Sequence, residues 1–148
     1  GRIKTVPKGA RQPKSRFAGV LDLFFDCEIA FARSRKSELH MLREVEVREP
    51  HAGIAQDVLR VALASYFVEL IEVVSEPEHG TPDLYDLLLR AYGFLNENAA
   101  SKKAMLHFEA ELARLLGIQN PQLTPAVAIG RVYHRLPAVR AGLLGKLE

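Results

Sequence analysis

Lys8, Arg11, Lys14 and Arg16 stand within nine positions, interleaved with Gly9, Pro13 and Ser15 and followed by Phe17. Long cationic side chains on a loop broken by glycine and proline suit a chain of phosphates, because neither helix nor sheet covers them. Each neutralised phosphate releases counterions, so such binding weakens with salt. Arginine grips a phosphate with two donors and lysine acts as a point charge; the Ser15 hydroxyl adds a further donor. Phe17 has two readings: a platform on which a base stacks, or a core residue, the commoner fate of phenylalanine. The same composition also describes an ordinary solvated loop. Lys4 lies just upstream, and Arg33, Arg35 and Lys36 extend the patch only if their turn folds back beside it.

No catalytic set accompanies this segment. His40, His51, His79, His107 and His134 pair with no other histidine or cysteine at metal-ligand spacing. Each is expected at the surface or half-buried. Cys27 is the one cysteine, which excludes a disulfide framework and a four-cysteine zinc site; it reads as inert core. Glu109 and Glu111 are two apart on a helical stretch and face different ways, so they make no acid–base pair. Glu109 is expected to serve structure, held by a backbone amide or a basic residue. Phosphate-binding loops, dinucleotide fingerprints and nucleophile elbows are missing. No enzyme activity, cofactor or metal is expected. Lys102, Lys103 and His107 sit where a helix begins, and the two lysines oppose the charge favoured there; a solvated first turn is the plainer reading.

The whole-chain net charge of +2 is uninformative, but its distribution is not. Residues 1–16 hold Arg2 and Lys4 besides the four cations above, and no acid. Residues 50–118 hold ten acids against five bases, and residues 119–148 turn basic again. Such asymmetry points to a polyanion at one end. With 148 residues, 48% of them hydrophobic and 26% charged, a packed core is expected. There is no apolar run of about 20 residues and no leader-like opening, so the expected location is cytoplasmic. The chain opens without methionine in basic, strand-like sequence, and further residues are expected upstream.

The elements that must position these residues follow from periodicity. Arg2 to Val6 alternates as a half-exposed strand does, Pro7 and Gly9 interrupt it, and short apolar stretches follow between Phe17 and Phe31. Arg33 to Ser37 is a polar turn. Leu39 to Val47 alternates again, although Leu42 blurs its phase. Short strands joined by polar turns suggest a small antiparallel sheet or barrel. From His51 the period changes. Asp57, Arg60, Glu69, Glu72 and Glu76 mark one wet stripe on an otherwise apolar helix running from Ile54 to Val74, as for a helix central to a bundle. Thr81-Pro82-Asp83 starts another helix, Ser101 caps a third, and Gly117 stops it. Thr124-Pro125 opens a fourth. The tail from Val132 to Leu147 is weakly helical, with Pro137, Gly142 and Gly145 as breakers.

KGARQPKSRFAGVLDLF resembles the segment that marks the N-terminal OB-fold of the RecO family, and HMLREVEV its following strand. ASYFVELIEVV, PDLYDLLLRAYGFLN and HFEAELARLLG resemble three successive helices of that family. The last matches its FE-x-x-L-x-x-LG pattern at Phe108, Glu109, Leu112, Leu115, Leu116 and Gly117. The resemblance covers residues 2–118. It implies a recombination mediator in DNA repair that binds single- and double-stranded DNA and anneals strands. It also implies partners: the acidic C-terminal tail of single-stranded-DNA-binding protein, and RecR, with which it loads RecA. By carry-over Lys8, Arg11, Lys14 and Arg16 are DNA-contact candidates, and Lys4 and Arg35 join them as neighbouring cations. Lys102, Lys103 and His107 become the candidate rim of a groove for the acidic tail. The family's opening barrel strands are missing, and no cysteines follow Gly117 where many members carry a zinc module.

The expected architecture is α+β: a partial OB-type β module over residues 1–49, then an all-α bundle over residues 50–148. A helical protein-interaction adaptor whose β segment merely docks on the bundle, and an RNA-binding OB-type factor, are the alternatives.

Overall fold

The computed structural model describes residues 2–12 and 14–148. Three strands are followed by a helical bundle, the α+β arrangement expected. β1 (Lys4–Val6), β2 (Asp26–Ala32) and β3 (Leu39–Glu49) form an open sheet in the order β1-β3-β2. β2 and β3 make an antiparallel hairpin around the Arg33–Ser37 turn, but β1 runs parallel to β3, with Lys4 opposite Leu39 and Val6 opposite Met41. The sheet is therefore mixed, not wholly antiparallel. The blurred phase at Leu42 is a β-bulge: Phe31 faces Leu42 and Ala30 faces Glu44, so Arg43 is extra. The bulge flips the alternation. His40 and Leu42 before it and Val45 and Val47 after it all share the inner face, leaving Glu44 and Glu46 outside.

The helix expected over Ile54–Val74 is broken. Ile54–Gln56 is a single 3-10 turn, Asp57 is extended, and α1 runs from Val58 to Val74. Asp57 belongs to no stripe. Its carboxylate caps α1 by accepting from the N–H groups of Leu59 and Arg60, both at 2.9 Å. α1 is central as expected, burying Leu63, Ala64, Tyr66, Phe67 and Leu70. Around it lie α2 (Pro82–Glu97), α3 (Lys102–Leu115), α4 (Pro125–Tyr133) and α5 (Arg140–Leu144). Phe67 stacks on Phe108 of α3, with ring centroids 4.0 Å apart. Ser101 caps α3 through the Ala104 N–H at 3.2 Å. Gly117, at φ 68°, ends α3: its N–H reaches the Arg114 carbonyl and that of Ile118 the Ala113 carbonyl. The tail packs back, with Leu143 and Leu147 in the core and the Lys102 N–H donating to the Glu148 carbonyl at 2.9 Å.

Sheet and bundle are fastened at two places by histidines, and both are buried rather than surface or half-buried as expected. His51 Nδ1 donates to the Phe24 carbonyl at 2.8 Å, and Tyr92 of α2 meets both the His51 and Phe24 rings edge-on. His40 Nδ1 accepts from the Ser34 N–H at 3.1 Å, so its Nε2 carries the proton given to Glu78 at 2.8 Å. Glu78, in the α1–α2 connector, also takes Arg33 at 2.9 Å, and its own N–H donates to the Arg2 carbonyl. His79, His107 and His134 are exposed as expected.

Candidate nucleic-acid interface

The segment between Val6 and Asp26 is a run of tight turns. The N–H of Ala10 reaches the Pro7 carbonyl, that of Gln12 the Gly9 carbonyl, that of Ser15 the Gln12 carbonyl and that of Ala18 the Ser15 carbonyl, at 2.9–3.1 Å. Gly9 takes φ 79°, which a side chain would strain. Phe17 anchors the segment at 3% exposure. It is core and offers no stacking platform, while the Arg16 guanidinium lies over its ring at 5.0 Å. Lys8, Arg11, Lys14 and Arg16 are all exposed, and among the described residues none is paired with an acid. Several arginines elsewhere are paired: Arg2 with Glu72, Arg48 with Glu28, Arg90 with Asp86 and Arg114 with Glu111. The segment gathers four cations within nine positions, none of them offset by an acid among the described residues.

The other sequence candidates are dispersed. Lys4 lies 3.7 Å from Glu38. Arg35 and Lys36 are exposed on the hairpin turn beside Arg33. That turn adjoins the Lys4 end of β1, whereas the basic segment leaves from Val6 at the other end. Arg43 was missed by sequence reasoning. It is exposed on the bulge, just past the Val6–Met41 pair from which the basic segment departs. The blurred alternation around Leu42 was its only signal.

Glu109 is the charge the fold does neutralise. It is 0% exposed, accepts from the Tyr66 hydroxyl at 2.7 Å, and takes both Arg140 nitrogens, at 2.7 and 2.9 Å. Its partners are a phenol and a basic residue from the tail. Burial first, then the bond to Glu109, holds the Tyr66 phenol well above its usual range. Cys27 is half-buried, and burial followed by the Asp26 charge raises its thiol, which fits an inert role.

Between α2 and α3 runs a groove of about 380 Å³, floored by Phe67, Leu87, Phe94 and Phe108. Arg90, Lys103 and His107 rim it. Two of the three residues expected on such a rim are there. Lys102 is not on the lining; it is exposed in the first turn of α3.

No helix among the described residues is long and apolar enough to cross a membrane. The family model described as Recombination protein O C terminal matches residues 55–131, from the 3-10 turn into α4. A protein of Rhodopirellula baltica named DNA repair protein RecO is 30% identical over 135 residues, 91% of this chain and 50% of the relative. One of the same name from Listeria monocytogenes is 32% identical over 118 residues, 80% of this chain and 46% of the relative. Another, from Syntrophotalea carbinolica, is 29% identical over 145 residues, 98% of this chain and 56% of the relative. The chain thus spans about half the length of the relatives it matches. No solved structure matches it. With more than half of its residues under that family model, including the buried Phe108–Glu109 helix, the chain belongs to the RecO family.

Proposed function

We propose that this chain acts as a DNA-binding recombination mediator in DNA repair, binding single- and double-stranded DNA without covalent chemistry. The observation that carries this is the turn-built segment presenting Lys8, Arg11, Lys14 and Arg16 to solvent without acid partners. In this reading residues 1–49 meet phosphates and residues 50–148 recruit proteins. Cations between two strands lower their mutual repulsion, so complementary strands can meet and anneal. Lys4, Arg35 and Arg43 add peripheral charge. The name that the relatives carry, DNA repair protein RecO, supports the repair assignment. The α2–α3 groove, apolar below and cationic at Arg90, Lys103 and His107, suits the acidic C-terminal tail of single-stranded-DNA-binding protein. RecR is the further partner in assisting RecA loading.

The test is fluorescence anisotropy of a labelled single-stranded oligonucleotide at several salt concentrations. The parent chain is compared with a variant in which Lys8, Arg11, Lys14 and Arg16 are all alanine. Losing four phosphate contacts is expected to flatten the log–log salt slope by roughly 3, at about 0.7 per phosphate. Equal slopes would remove the segment from the mechanism. No binding by the parent at low salt would favour the helical-adaptor alternative.

A further inference from the structure

The hairpin turn that carries Arg35 and Lys36 is fastened to the α1–α2 connector by Arg33 and Glu78. The next connector residue, His79, lines a pocket of about 380 Å³ together with Val73, Val74, Glu76 and Tyr133, the last residue of α4. Turn, connector and the end of α4 therefore meet at one end of the bundle. The course of the chain fixes Tyr133 there. It is half-buried and packs against the core. His134 takes φ 55°, and Leu136 comes back against Gly130, where a Cβ would stand 3.0 Å from the Leu136 Cδ1. Glycine permits that close approach.

The charge around this pocket is accessible and largely not offset. Arg131 and Arg135 flank Tyr133 in sequence, and Arg35 and Lys36 stand on the turn. All four are exposed, and among the described residues none is paired with an acid. Of the two acids on the connector, Glu78 is taken by Arg33 and His40. Asp83, just beyond, faces the positive end of α2. Glu76 is exposed, lines the pocket and has no cation partner among the described residues. Four cations suit a chain of phosphates or an acidic peptide, and the pocket decides between them. Glu76 repels an anionic side chain inserted there. A nucleobase meets no such conflict: its flat face stacks on Tyr133 and His79, and an exocyclic amino group donates to Glu76. Bases in a duplex are paired and stacked, so only a single strand can place one in the pocket.

We propose that this end of the bundle is a second nucleic-acid contact, holding one unstacked base of a single strand against Tyr133 and His79 and its phosphates on Arg131, Arg135, Arg35 and Lys36. The inference rests on the nucleic-acid reading above, in which the basic segment is the first contact. One chain then holds two strands on separate surfaces, one on the segment before β2 and one at the end of α4.

The experiment is fluorescence anisotropy of a labelled single strand of mixed sequence, and of its duplex, with the full chain at several salt concentrations. Tyr133→Leu keeps an apolar side chain that cannot stack. It is expected to bind the single strand about tenfold more weakly and the duplex as the parent does. Tyr133→Phe is expected to restore single-strand binding. Arg131→Ala with Arg135→Ala, both at exposed positions, is expected to flatten the single-strand salt slope by roughly 1.4, at about 0.7 per phosphate. The same flattening is expected in the variant already lacking Lys8, Arg11, Lys14 and Arg16. Parent-like single-strand affinity in Tyr133→Leu, an equal loss on single strand and duplex, or an unchanged slope in the double arginine variant would each overturn the proposal and leave the basic segment's role standing. No binding by the parent at low salt would overturn the nucleic-acid reading and this proposal with it.

Discussion

The basic segment before β2 and the polar centre under α3 both depend on arginine, and they use it in opposite ways. Arg11 and Arg16 stand in solvent, where their charge is free for a partner to neutralise. Arg140 is turned inward, and its fork closes on Glu109 together with Tyr66. In the first region Phe17 and, just before β2, Phe24 anchor the segment to the fold, and the charge is left over. In the second, three side chains from α1, α3 and α5 consume one another's hydrogen bonds. A cation contributes to stability where it is enclosed with its partner, and to recognition where it is not. That difference is measurable.

The largest effect is expected at the polar centre. Arg140→Leu leaves a buried carboxylate without its counter-charge and should destabilise the chain by about 3–5 kcal/mol in urea unfolding. Adding Glu109→Leu should recover much of that loss, since breaking a buried pair is worse than removing it. If the double variant were no better than the single one, the Glu109–Arg140 pair would not be what holds this centre together. At the other region, Phe17→Ala should cost about 3 kcal/mol through the cavity it leaves. The loss should appear mainly as faster hydrogen exchange across residues 7–25. Uniform loss across the bundle would mean that the segment is not a separately anchored unit.

Alkaline pH offers a third measurement. Tyr66 and Tyr85 have phenols raised above their ordinary value, Tyr85 to about 12, by burial first and then by bonds to Glu109 and Asp26. A raised phenol contributes stability that is complete below the unfolded pKa, near 10, and is lost as pH climbs toward the folded value. Stability should therefore fall above about pH 10, at roughly 1.4 kcal/mol per pH unit for the enclosed Tyr66. Tyr66→Phe should make that fall shallower, the buried Tyr92, whose phenol burial also raises, keeping its own share. The half-exposed Tyr85 should contribute less. The smallest effect is expected for the quadruple alanine variant of the basic segment, within about 0.5 kcal/mol per site. A large loss there would show that the exposed cations hold the fold, and the contrast between the regions would fail.

Local rules made much of this legible from sequence. Ser101 as a cap and Gly117 as a stop need only their own neighbourhoods, and both stand where periodicity put them. Asp57 misled because an acid at helical spacing reads equally as a stripe position or as a cap, and only the extended backbone at Asp57 distinguishes them. His40 and His51 misled for another reason. Their burial depends on Glu78 and Phe24, 38 and 27 positions away, which no local window contains. The parallel pairing of β1 and the Arg140 partner of Glu109, 31 positions on, were invisible for the same reason. The exposed cations of the basic segment were readable because exposure needs no partner. Arg43 was hidden by a bulge that shifts alternation without leaving a glycine or proline behind.

The fastening of the sheet's first strand has a consequence in time. Arg2 is held by Glu72, 70 positions later, and His40 by Glu78, 38 positions later. At ribosomal rates of roughly 5–20 residues per second, Arg2 waits about 4–14 s for its partner to be synthesised. The β2–β3 hairpin can close on its own much sooner, within microseconds of emerging. During synthesis the cationic segment is therefore held only within the sheet, by the pairing of β1 with β3 on one side and by the β2–β3 hairpin on the other, until the end of α1 and its connector arrive to fasten the sheet to the bundle.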